Sequence, residues 1–310
     1  MSSLLFISRL LPIAQSYITR VKSSGHPELL IPHRLHTGIC FFTGIQLVSL
    51  LKFNQPNQTD LIYNFTLFYI LLDHYIDDPN VEAFAKKLLI QSLLRISFDP
   101  SCLLDLDLLP PIFQKVIPIY KQMLDKPKLQ YILTKNLLFA VHTHKWQGQN
   151  SLLSRDNYFQ ISKLKGSLTI DAIVEMLGLT EDPNLKIIGE CTQHVDDIMD
   201  VYEDIEAEIN TIATFEYETR GNIDIIYLQT LAKINSLPKA YNQLCDILLL
   251  VLVYAIVKTP ELVSKGVYAF VEKLVEAKGW EMKTINIEES FSILTSCLQG
   301  FVKNESPINN

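Results

Sequence analysis

Two groups of aspartates interrupt otherwise apolar stretches of this 310-residue chain, and both have a spacing that suits cation binding. In the first group, Asp73 and Asp77 are four residues apart, and Asp78 follows directly. Side chains four residues apart lie on one face of an α-helix, one turn above the other. The second group repeats that spacing and consists of Asp196, Asp197, Asp200 and Asp204. Each group therefore predicts a row of carboxylates along a helix.

Rows of like charges are unfavourable in a helix unless something neutralises them. Each pair at this spacing costs about 0.2–0.5 kcal/mol, and exclusion of water raises the cost. Carboxylate oxygens suit a hard cation, Mg²⁺ or Mn²⁺, better than they suit zinc. The chain has no Glu-x-x-His pair, which argues against a di-iron carboxylate site. Because Mg²⁺ shares its ligand shell with substrate phosphate, two opposed aspartate helices predict a clamp for a diphosphate.

The rest of the chain has the apolar periodicity of helices. Apolar side chains recur every three or four residues, alternation with a period of two is rare, and turn sequences separate the segments. The longest predicted helices cover residues 61–77, 129–146, 157–177, 185–208, 241–257 and 261–277. Many helices, with no strand, linker or internal repeat, predict one all-α bundle domain over residues 1–310.

Composition argues against several other classes of protein. The net charge of −7 does not suit a nucleic-acid-binding protein, which needs a basic surface. The five cysteines are scattered with no Cys-x-x-Cys pair, so we expect reduced core thiols and a cytoplasmic location. The most apolar run, residues 247–257, is about half the length of a membrane-spanning helix. We therefore expect a buried helix there and no membrane span.

The second aspartate group resembles a metal-binding motif of the class I isoprenoid synthases. The pattern Gln193-x-x-Asp196-Asp197-x-x-Asp200 is similar to the second aspartate-rich motif of prenyl diphosphate synthases. It also resembles the second metal motif of terpene cyclases, although Asp200 stands in place of a serine or threonine and Asp204 in place of a glutamate. The first group, Asp-x-x-x-Asp-Asp, is similar to the first motif of squalene and phytoene synthases. The resemblance covers roughly residues 30–230.

This resemblance implies a single-domain antiparallel helical bundle with a central active-site cavity. It also implies bound Mg²⁺, three ions in all, for which Mn²⁺ is a substitute. The implied metal ligands and catalytic carboxylates are Asp73, Asp77, Asp78, Asp196, Asp197, Asp200 and Asp204. Such a site would hold a prenyl diphosphate and promote departure of its diphosphate.

The resemblance also implies which other side chains meet the substrate. Lys163 or Lys165 would contact the diphosphate, and Arg34 is the basic candidate near the N-terminus. Tyr69 and Phe65 lie one and two turns before Asp73, so they are the predicted aromatic wall of the cavity. Aromatic faces stabilise a nearby cation by about 0.5–2 kcal/mol. Weaker candidates for that wall are Phe41, Phe42, Trp146, Tyr158 and Tyr202, and His194 is expected to pack or hydrogen-bond.

Missing basic motifs favour one kind of family member over the others. Prenyl-elongating synthases carry paired arginines just after the first motif, whereas here Pro79, Asn80 and Val81 follow Asp78. A terpene synthase that cyclises one prenyl diphosphate, with farnesyl diphosphate favoured, is therefore the leading prediction. The alternatives are chain elongation with isopentenyl diphosphate, head-to-head coupling of two allylic diphosphates, and an inactive regulatory subunit of such a synthase. Assembly as a homodimer is compatible with the leading prediction and with each of these alternatives.

Overall fold

Helices account for the regular secondary structure of the chain. The computed structural model describes residues 3–30, 32–53, 59–78, 80–102, 111–147 and 153–280. Within these ranges there are thirteen α-helices, a few short 3₁₀ turns and no strand, so the all-α prediction is confirmed. The helices are α1 Ser3–Ser23, α2 Pro32–Phe53, α3 Thr59–Asp77, α4 Ala83–Phe98, α5 Pro111–Met123, α6 Pro127–Gln147, α7 Arg155–Met176, α8 Pro183–Met199, α9 Val201–Glu206, α10 Ile212–Arg220, α11 Asp224–Ser236, α12 Asn242–Lys258 and α13 Lys265–Ala277.

Capping side chains fix the ends of the helices that carry the predicted site. The hydroxyl of Ser154 accepts a hydrogen bond from the backbone N–H of Asn157 at 3.3 Å and so begins α7. Asp182 begins α8 in the same way, because its Oδ1 accepts from the Asn184 N–H at 2.9 Å. Pro183 then occupies the first turn of α8, where its missing N–H costs nothing.

The central feature of the packing is the pair α7 and α8, which make the most extensive contact between any two helices in the described residues. A short connection makes them antiparallel, and two glycines bring their backbones together. A β-carbon placed on Gly166 would collide with the backbone oxygen of Gly189, so only glycine allows this approach. The pair is covered by α10, α11 and α12 on the side of α8 and by α6 on the side of α7.

Buried apolar side chains form one contiguous cluster, which extends from Ala14 in α1 to Val275 in α13. A buried ion pair ties the outer helices to this core. The guanidinium of Arg155 in α7 lies 2.6 Å from the Glu216 carboxylate of α10, which is fully buried. The second oxygen of Glu216 accepts from the backbone N–H of Ile226 in α11 at 2.9 Å. Every oxygen of this buried carboxylate is thus satisfied, as burial of a charge requires.

Most of the predicted helical segments correspond to single helices. Residues 61–77, 129–146, 157–177 and 241–257 match α3, α6, α7 and α12 within two residues at each end. The prediction of one helix over residues 185–208 is wrong, because α8 ends at Met199 and α9 begins at Val201. Asp200 adopts a turn conformation between them, with φ −99° and ψ 9°. Helix α13 begins later than residue 261, because Ser264 caps it and a 3₁₀ turn precedes it.

Helix α12 is the most apolar helix of the described chain. By length and composition alone, the segment Lys239–Lys258 is one that could cross a membrane, with a mean hydropathy of 1.9. It is longer than the apolar run at residues 247–257. However, 56% of its most apolar stretch is buried inside the molecule, and α12 packs against α8 and α11. A helix buried in the core of a protein can have the same length and hydropathy.

The described cysteines agree with the expectation of reduced thiols. Cys102 and Cys191 are buried, Cys245 is half-buried, and none of these three forms a disulfide bond. The side chains of Cys40 and Cys297 lie outside the described residues.

Candidate functional site

Tyr69 marks the point at which three separate helices meet. Burial raises the pKa of its phenol, and the carboxylates of Asp73 in α3 and Asp196 in α8 raise it further. The ammonium of Lys165 in α7 and the neighbouring Thr169 hydroxyl act in the opposite direction. The pKa of Tyr69 is therefore affected by charges from both aspartate groups and from Lys165 in α7. The structure thus brings members of the two predicted groups together around the end of α3.

Lys165 is the cation between the two aspartate groups. Burial of its ammonium favours the neutral form and lowers the pKa. Neighbouring ionisable groups outweigh burial, so the pKa of Lys165 is raised above its ordinary value. In order of effect these groups are the Asp197 carboxyl, the Tyr69 phenol, and the carboxyls of Asp196 and Asp73. A cation held in this way stays charged at any physiological pH.

Lys163 has different surroundings from Lys165, although only one residue separates them. Its Nζ lies 3.5 Å from Oε1 of Glu190 in α8. The other oxygen of Glu190 accepts from Nζ of Lys233 in α11 at 2.8 Å. The sequence left open which lysine contacts the diphosphate. In the structure Lys165 lies beside the aspartate groups, whereas Lys163 is engaged by Glu190.

The second aspartate group is held by a glutamine one turn before it. Nε2 of Gln193 donates to Oδ2 of Asp196 at 3.1 Å and to Oδ1 of Asp197 at 3.0 Å. Asp196 is exposed, whereas Asp197 is 5% exposed. Burial raises the pKa of Asp197, and the nearby Lys165 lowers it. The Asp197 side chain therefore points into the molecule toward Lys165, whereas the Asp196 side chain points toward solvent.

The carboxylates at the α8–α9 turn are crowded enough to hold protons near neutral pH. Burial, followed by repulsion from Asp196, Glu203 and Asp204, raises the pKa of Asp200 to about 8. Burial together with Asp197 and Asp196 raises the pKa of Asp204 to about 7. Both values lie far above the ordinary carboxyl value of 3.8. A bound cation would relieve this repulsion and displace the protons.

An aromatic wall lies directly below Asp73. The ring of Phe41 in α2 stacks on Tyr69 with centroids 4.7 Å apart and on Phe65 with centroids 6.1 Å apart. Phe65 is 2% exposed, and Tyr69 and Phe41 are half-buried. Phe41 was only a weaker candidate, because no sequence signal places α2 against α3. Thr169, whose hydroxyl acts on Tyr69, was not among the predicted site residues. Its position one turn after Lys165 puts it on the same face of α7 and could have indicated it.

The other weaker aromatic candidates lie in different surroundings. Phe42 packs against Tyr17 with tilted rings, and Tyr158 packs against Phe215 in the same way. Tyr202 makes an edge contact with Tyr217 and donates to Oε1 of Glu261 at 2.9 Å. The side chain of Trp146 lies outside the described residues. The wall beneath Asp73 therefore consists of the α2 and α3 rings.

Asp78 lies just beyond the end of α3, and Arg34 of α2 lies near it. Oδ1 of Asp78 accepts from the backbone N–H of Asn80 at 2.8 Å, which forms a turn after the helix. This bond, and to a smaller extent Arg34, lowers the pKa of Asp78. Arg34, Asp78 and Tyr75 line a small cavity of about 70 Å³. Asp77 lies in the last turn of α3, and its side chain is outside the described residues.

His194 is a packing residue, as expected. It is fully buried, its Nδ1 lies 3.2 Å from Oγ1 of Thr230, and its ring is 5.1 Å from that of Phe159. Burial and the neighbouring cations Lys233, Arg155 and Lys163 lower the pKa of the imidazole to about 3. The ring is therefore neutral and belongs to the core behind the aspartate groups.

The donor chemistry of the site suits Mg²⁺, but the side chains do not form a ready-made metal cage. Among the described residues, no three Asp, Glu, His or Cys side chains are arranged to hold an ion by themselves. Magnesium commonly takes only one or two carboxylates and completes its shell with water and substrate phosphate. The carboxylate oxygens of the two aspartate groups, including the crowded carboxyls of Asp200 and Asp204, fit that mode of binding.

Comparison with protein-family models, with characterised proteins and with solved structures found no match for this chain.

Proposed function

We propose that this chain is a magnesium-dependent terpene synthase with the bundle fold of the class I isoprenoid synthases. The observation that supports this best is the meeting of Asp73, Lys165 and Asp196 around Tyr69. Carboxylates from α3 and α8 would hold the cations, and the lysine of α7 between them would contact a diphosphate. Below this polar rim, aromatic rings would enclose the prenyl chain. A prenyl diphosphate would match both parts of the site, because its diphosphate needs cations and its chain needs an apolar wall.

Each group in the site would then have a defined part in the reaction. Mg²⁺ held by the carboxylates of α3 and α8 would neutralise the charge of the diphosphate and so make it a better leaving group. The Lys165 ammonium donates to the departing diphosphate oxygens, and its charge is maintained by the surrounding anions. The ring faces of Phe65, Tyr69 and Phe41 stabilise the allylic cation left behind, by about 0.5–2 kcal/mol each. The wall also keeps water from quenching that cation.

Farnesyl diphosphate is the proposed substrate, and cyclisation is the proposed outcome. The absence of paired arginines after Asp78 in the sequence supports a single diphosphate substrate. The Arg34 guanidinium, the N-terminal basic candidate, acts on Asp78 and lines a cavity of only about 70 Å³. That volume is far below the roughly 300–1,000 Å³ of a small-molecule pocket. The second diphosphate of an elongating synthase thus has no counterpart among these residues.

The decisive experiment is product analysis by gas chromatography–mass spectrometry. Purified chain with Mg²⁺ receives geranyl, farnesyl or geranylgeranyl diphosphate alone, and then each together with isopentenyl diphosphate. We expect a cyclic hydrocarbon or alcohol from farnesyl diphosphate alone. Longer prenyl diphosphates that form only with isopentenyl diphosphate would instead establish chain elongation. A head-to-head product would establish coupling of two allylic substrates. Absence of magnesium-dependent diphosphate release in every reaction would contradict the proposal and favour a regulatory subunit.

Two alanine variants connect the activity to the site. Asp73→Ala in α3 and Asp200→Ala at the α8–α9 turn are each expected to abolish product formation while far-ultraviolet circular dichroism stays helical. The control is Asp125→Asn, an exposed aspartate before α6, which is expected to keep full activity. Near-normal turnover by either alanine variant would mean that the chemistry takes place elsewhere.

A further inference from the structure

Three large aromatic side chains project from α4 and α6 into solvent. Phe84 is 73% exposed, Phe98 is 72% exposed and Tyr131 is 68% exposed. They are the most exposed of the large apolar side chains in the described residues. Single exposed apolar residues need no explanation, but a cluster of aromatic rings on one face marks an interaction site.

The three rings are exposed on two helices that pack against each other. Phe84 and Phe98 are fourteen residues apart, which brings them to nearly the same side of α4 about 21 Å from each other. Helix α4 packs against α6, and the side-chain amide of Gln130 donates to the backbone oxygen of Ser97. Phe98 and Tyr131 directly follow these two residues in sequence. Phe98 and Tyr131 are therefore both close to the contact between α4 and α6.

Cations fill the positions between the rings. Lys87 and Arg95 are exposed at helical spacing between Phe84 and Phe98, and Lys135 is exposed one turn after Tyr131. Within the part of the chain that the structure describes, none of the three forms an ion pair. The term basic aromatic face is used below for Phe84, Lys87, Arg95, Phe98, Tyr131 and Lys135.

The charge of this face is opposite to that of the whole chain, whose net charge is −7. Helix α4 itself has no acidic side chain, and the nearest ones in sequence stand at its two ends. Glu82 precedes α4, and Asp99 follows it. Asp99 is engaged locally, because its Oδ1 accepts from the backbone N–H of Ser101 at 3.0 Å. The centre of the face is therefore cationic and aromatic.

We propose that the basic aromatic face docks this protein on an anionic lipid surface. Lysine and arginine bind anionic headgroups through their charges and bury their alkyl stems, while aromatic rings enter the interfacial layer. A second copy of this chain fits poorly, because a two-fold contact through this face would set cations against cations. A protein partner fits less well, because lysine is depleted from the centre of protein interfaces. This inference is independent of the proposed enzymatic activity.

Vesicle co-sedimentation of the whole chain tests the proposal. One set of vesicles is phosphatidylcholine alone, and the other is equal parts phosphatidylcholine and phosphatidylserine. We expect binding to the second set only, with loss of binding as salt is raised. The triple variant Lys87→Gln, Arg95→Gln, Lys135→Gln is expected to weaken binding by about fivefold for each cation, or about 100-fold in all. The triple variant Phe84→Ser, Phe98→Ser, Tyr131→Ser is expected to bind more weakly at every salt concentration.

A charge-matched control separates this face from general electrostatics. Lys239, Lys265 and Lys273 are exposed lysines on the opposite half of the sequence, around α12 and α13. Their triple replacement by Gln removes the same charge and is expected to leave vesicle binding unchanged. Equal loss of binding in both triple variants would overturn the proposal. Absence of binding to either kind of vesicle would also overturn it and would favour a protein partner for the face.

Discussion

At the scale of single residues, the two neighbouring lysines of α7 offer the sharpest test of the site. Lys165→Gln removes the cation held by Asp197, Asp196 and Asp73, so we expect a loss in kcat of about 10²–10³-fold, as for other donors to a developing anion. Lys163→Gln is the matched control and removes only the contact with Glu190, 3.5 Å away. We expect its kcat to stay within a few-fold of the parent chain. Steady-state kinetics with farnesyl diphosphate measure both, and equal losses would show that Lys165 has no special part.

The crowded carboxyls at the α8–α9 turn predict an unusual dependence of stability on pH. The pKa of Asp200 is raised from 3.8 to about 8, so in this window the folded state binds more protons than the unfolded chain. Without divalent cations, the free energy of unfolding should therefore fall as pH rises from about 4 to 8. Asp200→Asn removes this repulsion and should stabilise the metal-free chain at pH 8 by on the order of 2 kcal/mol.

Urea unfolding in the presence of a chelator, at several pH values, measures this effect. Asp125→Asn, at an exposed position, is expected to leave the pH dependence as it is. If the unfolding free energy of Asp200→Asn depended on pH as steeply as that of the parent chain, these carboxyls would not be crowded in solution. A gain in stability together with a loss of turnover would mark Asp200 as a residue kept for function at a cost in stability.

Residue types and spacing predict the aspartate groups but not their environments. The spacing of Asp196, Asp200 and Asp204 predicts a row along one helix, whereas the outward position of Asp196 and the inward position of Asp197 depend on tertiary packing. The choice between Lys163 and Lys165 likewise depends on where Glu190 lies. Phe41 joins the aromatic wall only because α2 packs against α3, and that contact has no local sequence signal.

At the scale of helices, the backbone contact between α7 and α8 sets the distance between the lysine and the second aspartate group. Gly166→Ala would place a methyl group against the backbone of Gly189, where no flexible side chain can move aside. We expect a loss of about 1–3 kcal/mol in unfolding free energy, as for other overpacked sites. We also expect lower kcat, because Lys165 is adjacent to the displaced residue.

The matched control for this prediction is Gly266→Ala in the first turn of α13. There the added methyl group meets only the Ser264 hydroxyl at 3.8 Å, so no clash arises. Alanine favours helix over glycine by up to about 1 kcal/mol, so this variant should be as stable as the parent chain or more stable. Thermal unfolding compares the two. A Gly166→Ala variant as stable as Gly266→Ala would show that α7 and α8 are not in backbone contact.

Helical periodicity predicts most elements of this chain because apolar stripes and turn residues are local signals. The turn at Asp200 was not predicted, since the apolar residues on both sides keep the same period. Its hydrogen bonds explain why the pattern continues. The backbone N–H of Asp200 still bonds to the Asp196 oxygen at 3.1 Å, and that of Asp204 to the Asp200 oxygen at 2.7 Å. The two short helices therefore keep nearly the register of one.

At the scale of the whole molecule, metal and diphosphate should stabilise the fold only together. Among the described residues no three side chains form a metal cage, so Mg²⁺ alone should change the unfolding temperature little. Inorganic diphosphate alone meets an acidic chain with a net charge of −7 and should also have little effect. Together they should raise the unfolding temperature, because a ligand at about 100 times its Kd adds about 2.7 kcal/mol to the free energy of unfolding.

Differential scanning fluorimetry with each ligand and with both measures this dependence. Asp73→Ala is expected to lose the joint effect, and Asp125→Asn is expected to keep it. A joint effect that survives in Asp73→Ala would place the binding site away from α3. An equal effect from Mg²⁺ alone would mean that the carboxylates bind the ion without help from phosphate oxygens.

The all-α class of the chain follows from its sequence, but the arrangement of the thirteen α-helices in its described ranges does not. Helix–helix contacts such as that of Gly166 with Gly189 join residues far apart in sequence, and a single sequence contains no record of such pairs. The aspartate spacing supplied one long-range expectation, that residues near 73 and near 196 lie together. The shared effect of Asp73 and Asp196 on Tyr69 agrees with it.

The glycine contact between α7 and α8 also determines where the specificity of this protein is open to change. No side chain separates the two helices there, so substitution cannot adjust their spacing in small steps. The aromatic wall of Phe41, Phe65 and Tyr69 is built from side chains in mutual contact, and substitution can change their sizes in smaller steps. Directed evolution toward longer or shorter prenyl chains should therefore accumulate changes on α2 and α3 and leave Gly166 and Gly189 untouched.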